Sequence, residues 1–365
     1  MKVLLLANSG DGLLSFRQEL VTALVEKGMD VIVSVPDSGR TNEIKALGCR
    51  VDIARIHRRG MNPIEDLKLL RYYLSLLKKY SPDVVLTYTI KPNIYGGMAC
   101  VLKKIPYIVN ITGLGTAVER SGMLQRLTVS MYKVAMRKAD CIFFQNNGNR
   151  EFFKEKNIRR DIHRVIPGSG ANLLKFQPKA FPSSGPVRFL FISRLMKEKG
   201  IEEFFAAAIH FRKTRRDVEF HILGDCEEDY SGRLAELESQ GVVIYHGMQT
   251  DVRPFIAESS CLIHPTFYPE GMSNVVLEAA SSARPVITTR RHGCMEAVDD
   301  GLTGYLIEER NTAGLINAID KFLSLSVEER AEMGKNARVK MEKEFDRQIV
   351  VDAYLEEISK ATRAK

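Results

Sequence analysis

Several features that assign proteins to common classes are missing from this sequence. It contains no uninterrupted apolar run of about 18 residues, the length that a membrane-spanning helix needs, so no transmembrane helix is predicted. The six cysteines form no C-x-x-C pair and the seven histidines are scattered, so we expect reduced, cytoplasmic thiols, no metal site and no cofactor. The first residues, MKVLLLANSGDG, are a short apolar run followed by turn residues, which predicts a first strand and not a signal peptide.

The charge of the chain is unevenly distributed. The formal net charge is +8, but residues 1–165 carry about +12 and residues 166–365 about −4. A basic first half is expected to face anionic lipid, nucleic acid or a phosphate-bearing acceptor. No recognised nucleic-acid motif is present, so nucleic acid is the least favoured of these partners.

Buried-strand patterns alternate with helical patterns along the chain, which predicts an α/β protein with parallel sheets. A length of 365 residues with 45% hydrophobic residues suffices for two domains of ordinary size. A stretch rich in Pro, Gly and Ser predicts a linker at residues 171–186, between a first domain at 1–170 and a second at 187–345. Residues 346–365 form a separate C-terminal helix in this prediction.

The stretch from Pro265 to Thr289 is the strongest candidate for a functional site. Its pattern predicts a strand, a loop, a helix from about Asn274 to Ala283 and a further strand. Gly271 allows backbone to approach a ligand closely, and either Ser273 or Asn274 could cap the helix. The amides of the first helical turn and the helix dipole favour an anion, typically phosphate.

Two carboxylates and two cations accompany this predicted anion site. Glu270 lies in the loop and Glu278 one turn into the helix, and carboxylates accept hydrogen bonds from sugar hydroxyls. Arg194 and Lys199 follow an earlier predicted strand and suit a diphosphate. Taken singly, Glu270 is better explained as an ordinary loop carboxylate and Glu278 as a solvated helix residue, and it is the presence of Arg194 and Lys199 that favours a site.

The combination of Arg194, Lys199, Glu270 and Glu278 resembles the pattern of retaining glycosyltransferases of family 4, in which two glutamates are separated by seven residues. The downstream stretch GCMEAVDDGLTGYLI is similar to another motif of that family. The resemblance implies the GT-B fold, two Rossmann-like domains whose parallel sheets face across a cleft, with the last helix crossing back to the first domain. It also implies a nucleoside-diphosphate sugar as donor, most simply a UDP-sugar, with no metal required.

By this resemblance, Arg194, Lys199 and Glu270 are the expected catalytic residues. The expected donor-binding residues are those three together with Gly12, Gly271, Met272, Ser273, Asn274, Val275 and Glu278.

Two motifs in the first half, KPNIYG and NITGLG, resemble the branch of the family that extends undecaprenyl-diphosphate-linked saccharides. They make Lys91, Asn93, Thr112 and Gly113 the expected acceptor-binding residues. A cation before a helix N-terminus invites an anion, although a plain surface lysine explains Lys91 equally well. This chain departs from the family pattern at Thr112, where many family members carry His.

The sequence predicts a loop at residues 8–12, after the first strand, and a helix from about Ser15. This loop leaves other functions open. Gly10 and Gly12 nearly match a dinucleotide-binding fingerprint, and Asp37 stands roughly where a ribose-binding acid is expected. This favours an NAD-dependent oxidoreductase as one alternative, or a tight turn without a ligand. A sugar-nucleotide 2-epimerase of the same fold is a further alternative.

Residues 123–138 form an amphipathic segment. Its apolar residues are Met123, Leu124, Leu127, Met131, Val134 and Ala135. Such a face either packs on its own sheet, the more frequent outcome, or lies on an anionic membrane. The second possibility predicts a peripheral protein on the inner face of the plasma membrane, with Arg58, Arg59, Arg126 and Lys133 as the basic contacts.

Overall fold

The structure is a computed structural model that describes residues 1–54, 62–115, 118 and 122–363. Backbone contacts divide the chain into two compact units. The first unit comprises Met1–Gly170, Pro269–Met272 and Arg347–Lys365, and the second comprises Ala171–Tyr268 and Ser273–Asp346. The loop Pro269–Met272 of the candidate site thus belongs to the first unit.

The first unit contains a seven-stranded parallel sheet in the order β3-β2-β1-β4-β5-β6-β7. Its strands are β1 (Lys2–Leu6), β2 (Asp30–Val35), β3 (Arg50–Ile53), β4 (Val84–Tyr88), β5 (Tyr107–Ile111), β6 (Cys141–Phe144) and β7 (His163–Val165). Its helices begin with α1 (Gly10–Glu26), α2 (Thr41–Ala46) and α3 (Pro63–Tyr80). A π-helical turn (Pro92–Gly96) continues into α4 (Gly97–Lys103), followed by α5 (Met123–Met136) and α6 (Asn147–Glu155).

The second unit contains a six-stranded parallel sheet in the order β10-β9-β8-β11-β12-β13. Its strands are β8 (Val187–Ile192), β9 (Val218–Leu223), β10 (Ile244–Tyr245), β11 (Cys261–His264), β12 (Val286–Thr289) and β13 (Gly304–Ile307). Its helices are α7 (Ile201–Thr214), α8 (Ser231–Ser239), α9 (Arg253–Glu258), α10 (Asn274–Ser281), α11 (Thr312–Ser324) and α12 (Val327–Glu344). The predicted α/β class with two parallel sheets is confirmed.

The central strands of both sheets are continuous apolar runs because helices cover both faces of each sheet. β4 and β5 are buried along their whole length, and β11 and β12 are as well. A parallel sheet covered on both faces selects continuous apolar runs over alternating ones. The apolar residues of each sheet and its helices accordingly form the cores of the two units.

The strand orders define where each sheet can bind a ligand. In the first unit the order reverses between β1 and β4, and in the second unit between β8 and β11. Loops leaving such a pair of strands run in opposite directions and leave a crevice beyond the carboxyl ends. A ligand is therefore expected near the segments that follow β1, β4, β8 and β11.

The last helix, α13 (Arg347–Arg363), packs in the core of the first unit. The ring of Tyr354 is fully buried, with its centroid 4.6 Å from that of Phe143 on β6. At the start of α13, the Arg347 guanidinium donates to Glu19 of α1 at 2.7 Å. An aromatic contact and an ion pair thus join the C-terminal helix to two elements of this unit.

A buried arginine organises one edge of the second unit. Arg284 has no exposed surface and donates to the backbone carbonyl oxygens of Lys179, Ala180, Ile256 and Ala257, among others. Burial lowers the pKa of its guanidinium to about 10. The side chain fastens the segment before β8 to the helix preceding β11.

The structure corrects the predicted start of the first helix. The sequence pattern placed a loop through Gly12 and a helix from about Ser15, but α1 begins at Gly10. Ser9 has extended backbone, and its hydroxyl accepts a hydrogen bond from the Gly12 amide, so it caps the helix. The two glycines form the first helical turn and not a separate loop.

The predicted core packing of the amphipathic face on α5 is wrong for most of its residues. The helix buries a different stripe, centred on Val129, Tyr132 and Met136. The side chains left exposed include Met123 (88%), Leu124 (39%), Leu127 (50%) and Val134 (50%). Within the described ranges, no helix is both long enough and apolar enough to cross a membrane.

Candidate active site

Two cations and an aromatic ring converge beyond the carboxyl ends of β8 and β11. Arg194 follows β8 directly, and Tyr268 lies in the segment that follows β11. The Arg194 guanidinium carbon is 5.7 Å from the centroid of the Tyr268 ring, and the Lys199 ammonium nitrogen is 4.8 Å from the same centroid. Both distances are within the range of cation–π attraction. The structure therefore brings Arg194 and Lys199 to one place at the switch point of the second sheet.

Lys199 is positioned by a short helical turn that is joined to the segment after β11. It ends the 3₁₀ turn Lys197–Lys199 and is 8% exposed. Gly200 follows with φ of +79°, and a Cβ there would lie 2.2 Å from the carbonyl oxygen of Pro265. The Phe267 amide also donates to the Glu198 carbonyl at 2.8 Å. Only glycine permits this approach, which places the turn that carries Lys199 beside the segment that holds Tyr268.

Arg194 makes an ion pair with Glu227, which lies just beyond β9. Burial by itself lowers the pKa of Arg194, but the hydrogen bond and the charge of Glu227 outweigh this effect and the pKa is raised. The Arg194 side chain remains 43% exposed and the Glu227 side chain 25% exposed. Arg194 is thus held in place while part of its guanidinium faces solvent.

The helix α10 presents a first turn without side-chain caps. Ser273 occupies the N-cap position with extended backbone, but its side chain makes no cap hydrogen bond within the described part of the chain. Its own amide donates to the Gly293 carbonyl at 2.7 Å. The amides of Asn274 and Val275 begin the helix, and Glu278 lies half-buried one turn further on. Such a terminus is suited to an anion.

The loop Pro269–Met272 is organised within the first unit. The side-chain amide of Asn146 donates to the carbonyl oxygen of Gly271 at 2.5 Å and to that of Glu270 at 3.2 Å. A Cβ on Gly271 would lie 2.3 Å from the Thr112 carbonyl oxygen, and Gly113 has φ of +141°. Two predicted donor residues, Glu270 and Gly271, therefore lie beside two predicted acceptor residues, Thr112 and Gly113.

Met272 completes this loop with a close contact of its own. A Cβ on Gly168 would lie 2.5 Å from the Met272 Cβ, and Gly168 has φ of +63°. The loop is thus held at both ends by glycines of the first unit, at Gly113 and Gly168. This packing fixes the backbone that carries Glu270.

The predicted acceptor residue Lys91 is a half-buried ion-pair partner. Its ammonium lies 3.0 Å from an Asp66 carboxylate oxygen, with side-chain exposures of 16% and 14%. The alternative of a solvated surface lysine is therefore wrong. Asn93 lies deeper, at 1% exposure, and donates to the Asn110 carbonyl at 2.8 Å. It ties the π-helical turn to β5, and such π-helical segments are frequent at functional sites.

Local contacts account for the residues behind the dinucleotide-binding alternative. A Cβ on Gly10 would lie 2.5 Å from the Ser38 hydroxyl oxygen and 3.3 Å from the Ser38 Cβ, so this packing favours a glycine there. The Gly12 amide is bonded to Ser9, as described above. The Asp37 carboxylate accepts from the Gly39 amide and the Thr41 hydroxyl, both at 3.1 Å, and stabilises a turn.

Three residues at the site were not singled out from the sequence. Tyr268 is an aromatic residue in a loop, Glu227 follows a strand without a recognised motif, and Asn146 caps α6. Only Asn146 had a local signal, the run QNNGN before a helical pattern. Among the described residues, no group of three or more His, Cys, Asp or Glu side chains could hold a metal ion.

Two family models match most of the chain. The family model described as Glycosyl transferase 4-like matches residues 2–146, and the model described as Glycosyl transferases group 1 matches residues 186–324. The chain therefore belongs to the glycosyltransferases whose two domains these models describe. The predicted membership of this family and the predicted GT-B fold are confirmed.

Two curated relatives carry informative names. The N,N'-diacetylbacillosaminyl-diphospho-undecaprenol alpha-1,3-N-acetylgalactosaminyltransferase of Campylobacter jejuni is 27% identical over 372 residues, covering 97% of each chain. The UDP-Gal:alpha-D-GlcNAc-diphosphoundecaprenol alpha-1,3-galactosyltransferase of Escherichia coli is 28% identical and covers 79% of this chain and 78% of its own. Among solved structures, Anabaena HepE in complex with UDP-glucose has a TM-score of 0.80 at 20% identity, covering 99% of this chain and 100% of HepE. The last likeness shows the fold.

Proposed function

We propose that this protein is a retaining glycosyltransferase that moves a sugar from a UDP-sugar to a saccharide linked to a lipid diphosphate. The observation that carries the proposal is the convergence of Arg194 and Lys199 on Tyr268 at the switch point of the second sheet. Two cations placed there suit the diphosphate of a nucleotide sugar. The names of the two curated relatives support a lipid-diphosphate acceptor, and the HepE complex supports a UDP-sugar donor.

The difficult step of such a reaction is departure of the diphosphate. The bond between the anomeric carbon and the diphosphate oxygen breaks, and the acceptor hydroxyl oxygen forms the new bond to that carbon. Arg194, Lys199 and the first-turn amides of α10 stabilise the negative charge that develops on the leaving group. The hydroxyl proton passes to the departing phosphate, which needs no additional base. No metal is assigned to this step.

The two carboxylates divide the recognition of the donor. Glu270 accepts hydrogen bonds from hydroxyls of the transferred sugar, and Glu278 accepts them from the ribose. Glu270 is carried on backbone that Asn146 holds by two hydrogen bonds. The backbone that carries the carboxylate is thereby ordered, which lowers the ordering cost on binding.

The acceptor is assigned to the first unit. Lys91 follows β4, one of the two strands at the switch point of that sheet, and supplies a cation for the lipid diphosphate. Its pairing with Asp66 means that the acceptor must share or replace an existing partner. Thr112 and Gly113 contact the loop that carries Glu270 and complete the acceptor region.

The exposed face of α5 supports a further element of the proposal, contact with anionic lipid. Met123, Leu127 and Val134 are at least half exposed, and Arg126 and Lys133 on the same helix are exposed as well. Apolar side chains flanked by cations suit the interface of an anionic membrane. Arg58 and Arg59, the other predicted contacts, lie outside the described residues. The protein then reaches a lipid-linked substrate from the cytoplasmic side of the plasma membrane.

A panel of nucleotide sugars tests the donor assignment. UDP-, GDP- and ADP-sugars are incubated with the protein, with and without a prenyl-diphosphate saccharide, and products are separated by mass. The proposal predicts transfer from a UDP-sugar that depends on the acceptor. Epimerisation of the free donor would instead support the 2-epimerase alternative, and reduction of NAD without transfer would support the oxidoreductase.

Vesicle flotation tests the membrane contact. Binding to anionic vesicles should exceed binding to neutral vesicles and weaken with added salt, because the attraction is screened. Leu127→Ser should lower it, whereas Leu174→Ser, an 86% exposed leucine in the second unit, should not. Equal flotation with both vesicle types, or equal effects of both variants, contradicts the assignment.

A further inference from the structure

Glu227 is a carboxylate beside the proposed donor site to which the proposed chemistry assigns no role. It follows β9, the neighbour of β8, and its carboxylate pairs with the Arg194 guanidinium. Arg194 in turn lies over the Tyr268 ring, which Lys199 also contacts. One carboxylate is therefore placed beside the two cations that are assigned to the donor diphosphate.

A carboxylate and a phosphate bind the arginine guanidinium in the same way. Both accept two parallel hydrogen bonds from the guanidinium fork. Glu227 therefore occupies part of the donor capacity of Arg194 and neutralises its charge. A diphosphate that approaches Arg194 must displace this carboxylate or bind close to a like charge.

We propose that Glu227 is a positioning residue that holds Arg194 over Tyr268 and yields it to the donor diphosphate, thereby weakening nucleotide binding. The inference rests on the proposed donor site and deepens it. A counterion of this kind keeps Arg194 ordered before the donor arrives. It also returns to Arg194 as the nucleoside diphosphate leaves, so that product release is assisted.

The charge of the ligand gives the proposal a specific signature. Free UDP carries more negative charge on its terminal phosphate than a UDP-sugar does, because the sugar esterifies that phosphate. Competition with Glu227 must therefore weaken UDP more than the UDP-sugar. A purely structural role of Glu227 in folding would weaken or spare both ligands alike.

The variant that isolates this effect is Glu227→Gln, which keeps the size and removes the charge. We expect it to tighten UDP about two- to fivefold, the range for partly exposed ion pairs, and to tighten UDP-glucose less. The KM for the donor should fall because the donor binds more tightly. The kcat should stay unchanged, or fall if the slower release of UDP limits turnover. Added salt diminishes the difference from wild type.

The matched control is Glu236→Gln on α8. Glu236 also pairs with an arginine, Arg233, at 2.7 Å, and is 51% exposed, but it lies on a helix away from the strand ends. Calorimetric titration of UDP and UDP-glucose should give wild-type values for this variant. The Arg194→Ala variant and the Arg194→Ala, Glu227→Gln double variant complete the set.

The outcomes separate the inference from the proposed function. If Arg194→Ala leaves UDP binding unchanged, the proposed donor site is wrong. If Arg194→Ala weakens UDP while Glu227→Gln weakens it too, leaves it unchanged, or tightens both ligands equally, only the inference about Glu227 is overturned. If Glu227 acts through Arg194, Glu227→Gln should not tighten UDP in the Arg194→Ala background. Tighter UDP binding in the double variant than in Arg194→Ala overturns the inference about Glu227.

Discussion

Replacement of Lys199 by methionine tests the proposed site with little damage to the fold. Methionine is one atom shorter than lysine and lacks its charge and its N–H donors, and it fills most of the same space against Tyr268. The side chain is already 8% exposed, and an apolar residue of similar volume is tolerated there. We expect the free energy of unfolding to change by less than about 1.5 kcal/mol, the upper range for swaps that conserve volume.

The effect on catalysis should be much larger. Loss of one charged donor at a developing negative charge costs roughly 3 kcal/mol, which is about a hundredfold in kcat/KM. Steady-state transfer from a UDP-sugar measures this loss, and urea unfolding monitors stability in the same preparation.

Lys197→Met is the matched control for this variant. Lys197 begins the same 3₁₀ turn, but its side chain is exposed. We expect less than about a twofold change in kcat/KM, as for surface substitutions that touch no ligand. Similar losses in the two variants, or a wild-type rate in Lys199→Met, would refute the assignment of Lys199 to the diphosphate.

Three further predictions follow from other parts of the structure. In calorimetric titrations, Glu278→Ala should weaken UDP and UDP-sugar alike, whereas Glu270→Ala should weaken only the UDP-sugar; identical ligand profiles would contradict this division. Arg284→Ala should lower the free energy of unfolding in urea by about 3 kcal/mol or more, because several buried carbonyls lose their donor, while the exposed Arg290→Ala should cost under about 0.5 kcal/mol. Burial lowers the pKa of His246 below 6.5, and the neighbouring His221 lowers it further. The unfolded chain therefore binds more protons than the folded protein in acid, and the stabilisation present above pH 6.5 is lost as the pH falls. His246→Gln should therefore flatten the fall in unfolding free energy between about pH 7 and pH 5, and an unchanged slope would count against it.

The fold was predictable because its signals are local and repeated. Buried strands of a parallel sheet are continuous apolar runs, and Pro285 to Thr289 shows such a run beside a helical pattern. The predicted start of α1 was too late because Gly10 and Gly12 usually indicate a turn. Here Ser9 caps the helix, and both glycines lie in its first turn. The face of α5 was ambiguous because periodicity identifies an apolar stripe without showing what covers it.

The candidate site was predictable only in part. Arg194 and Lys199 were found because they follow a strand within a motif, and the structure brings them together. Tyr268 and Glu227 come from loops after other strands, and their proximity depends on strand order, which no local pattern encodes. The partner of Lys91 was missed for the same reason, since Asp66 lies on α3 and contacts it only in the folded unit.

The most direct test of the central claim is transfer to a defined acceptor. A labelled UDP-sugar is incubated with a short-chain prenyl-diphosphate saccharide, and in parallel with the same saccharide lacking the diphosphate and lipid. The product is isolated and its new linkage is assigned by NMR. The account predicts transfer to the lipid-diphosphate acceptor alone, with the anomeric configuration of the donor retained. Transfer to both saccharides at equal rates, inversion of the configuration, or no transfer from any UDP-sugar would contradict it.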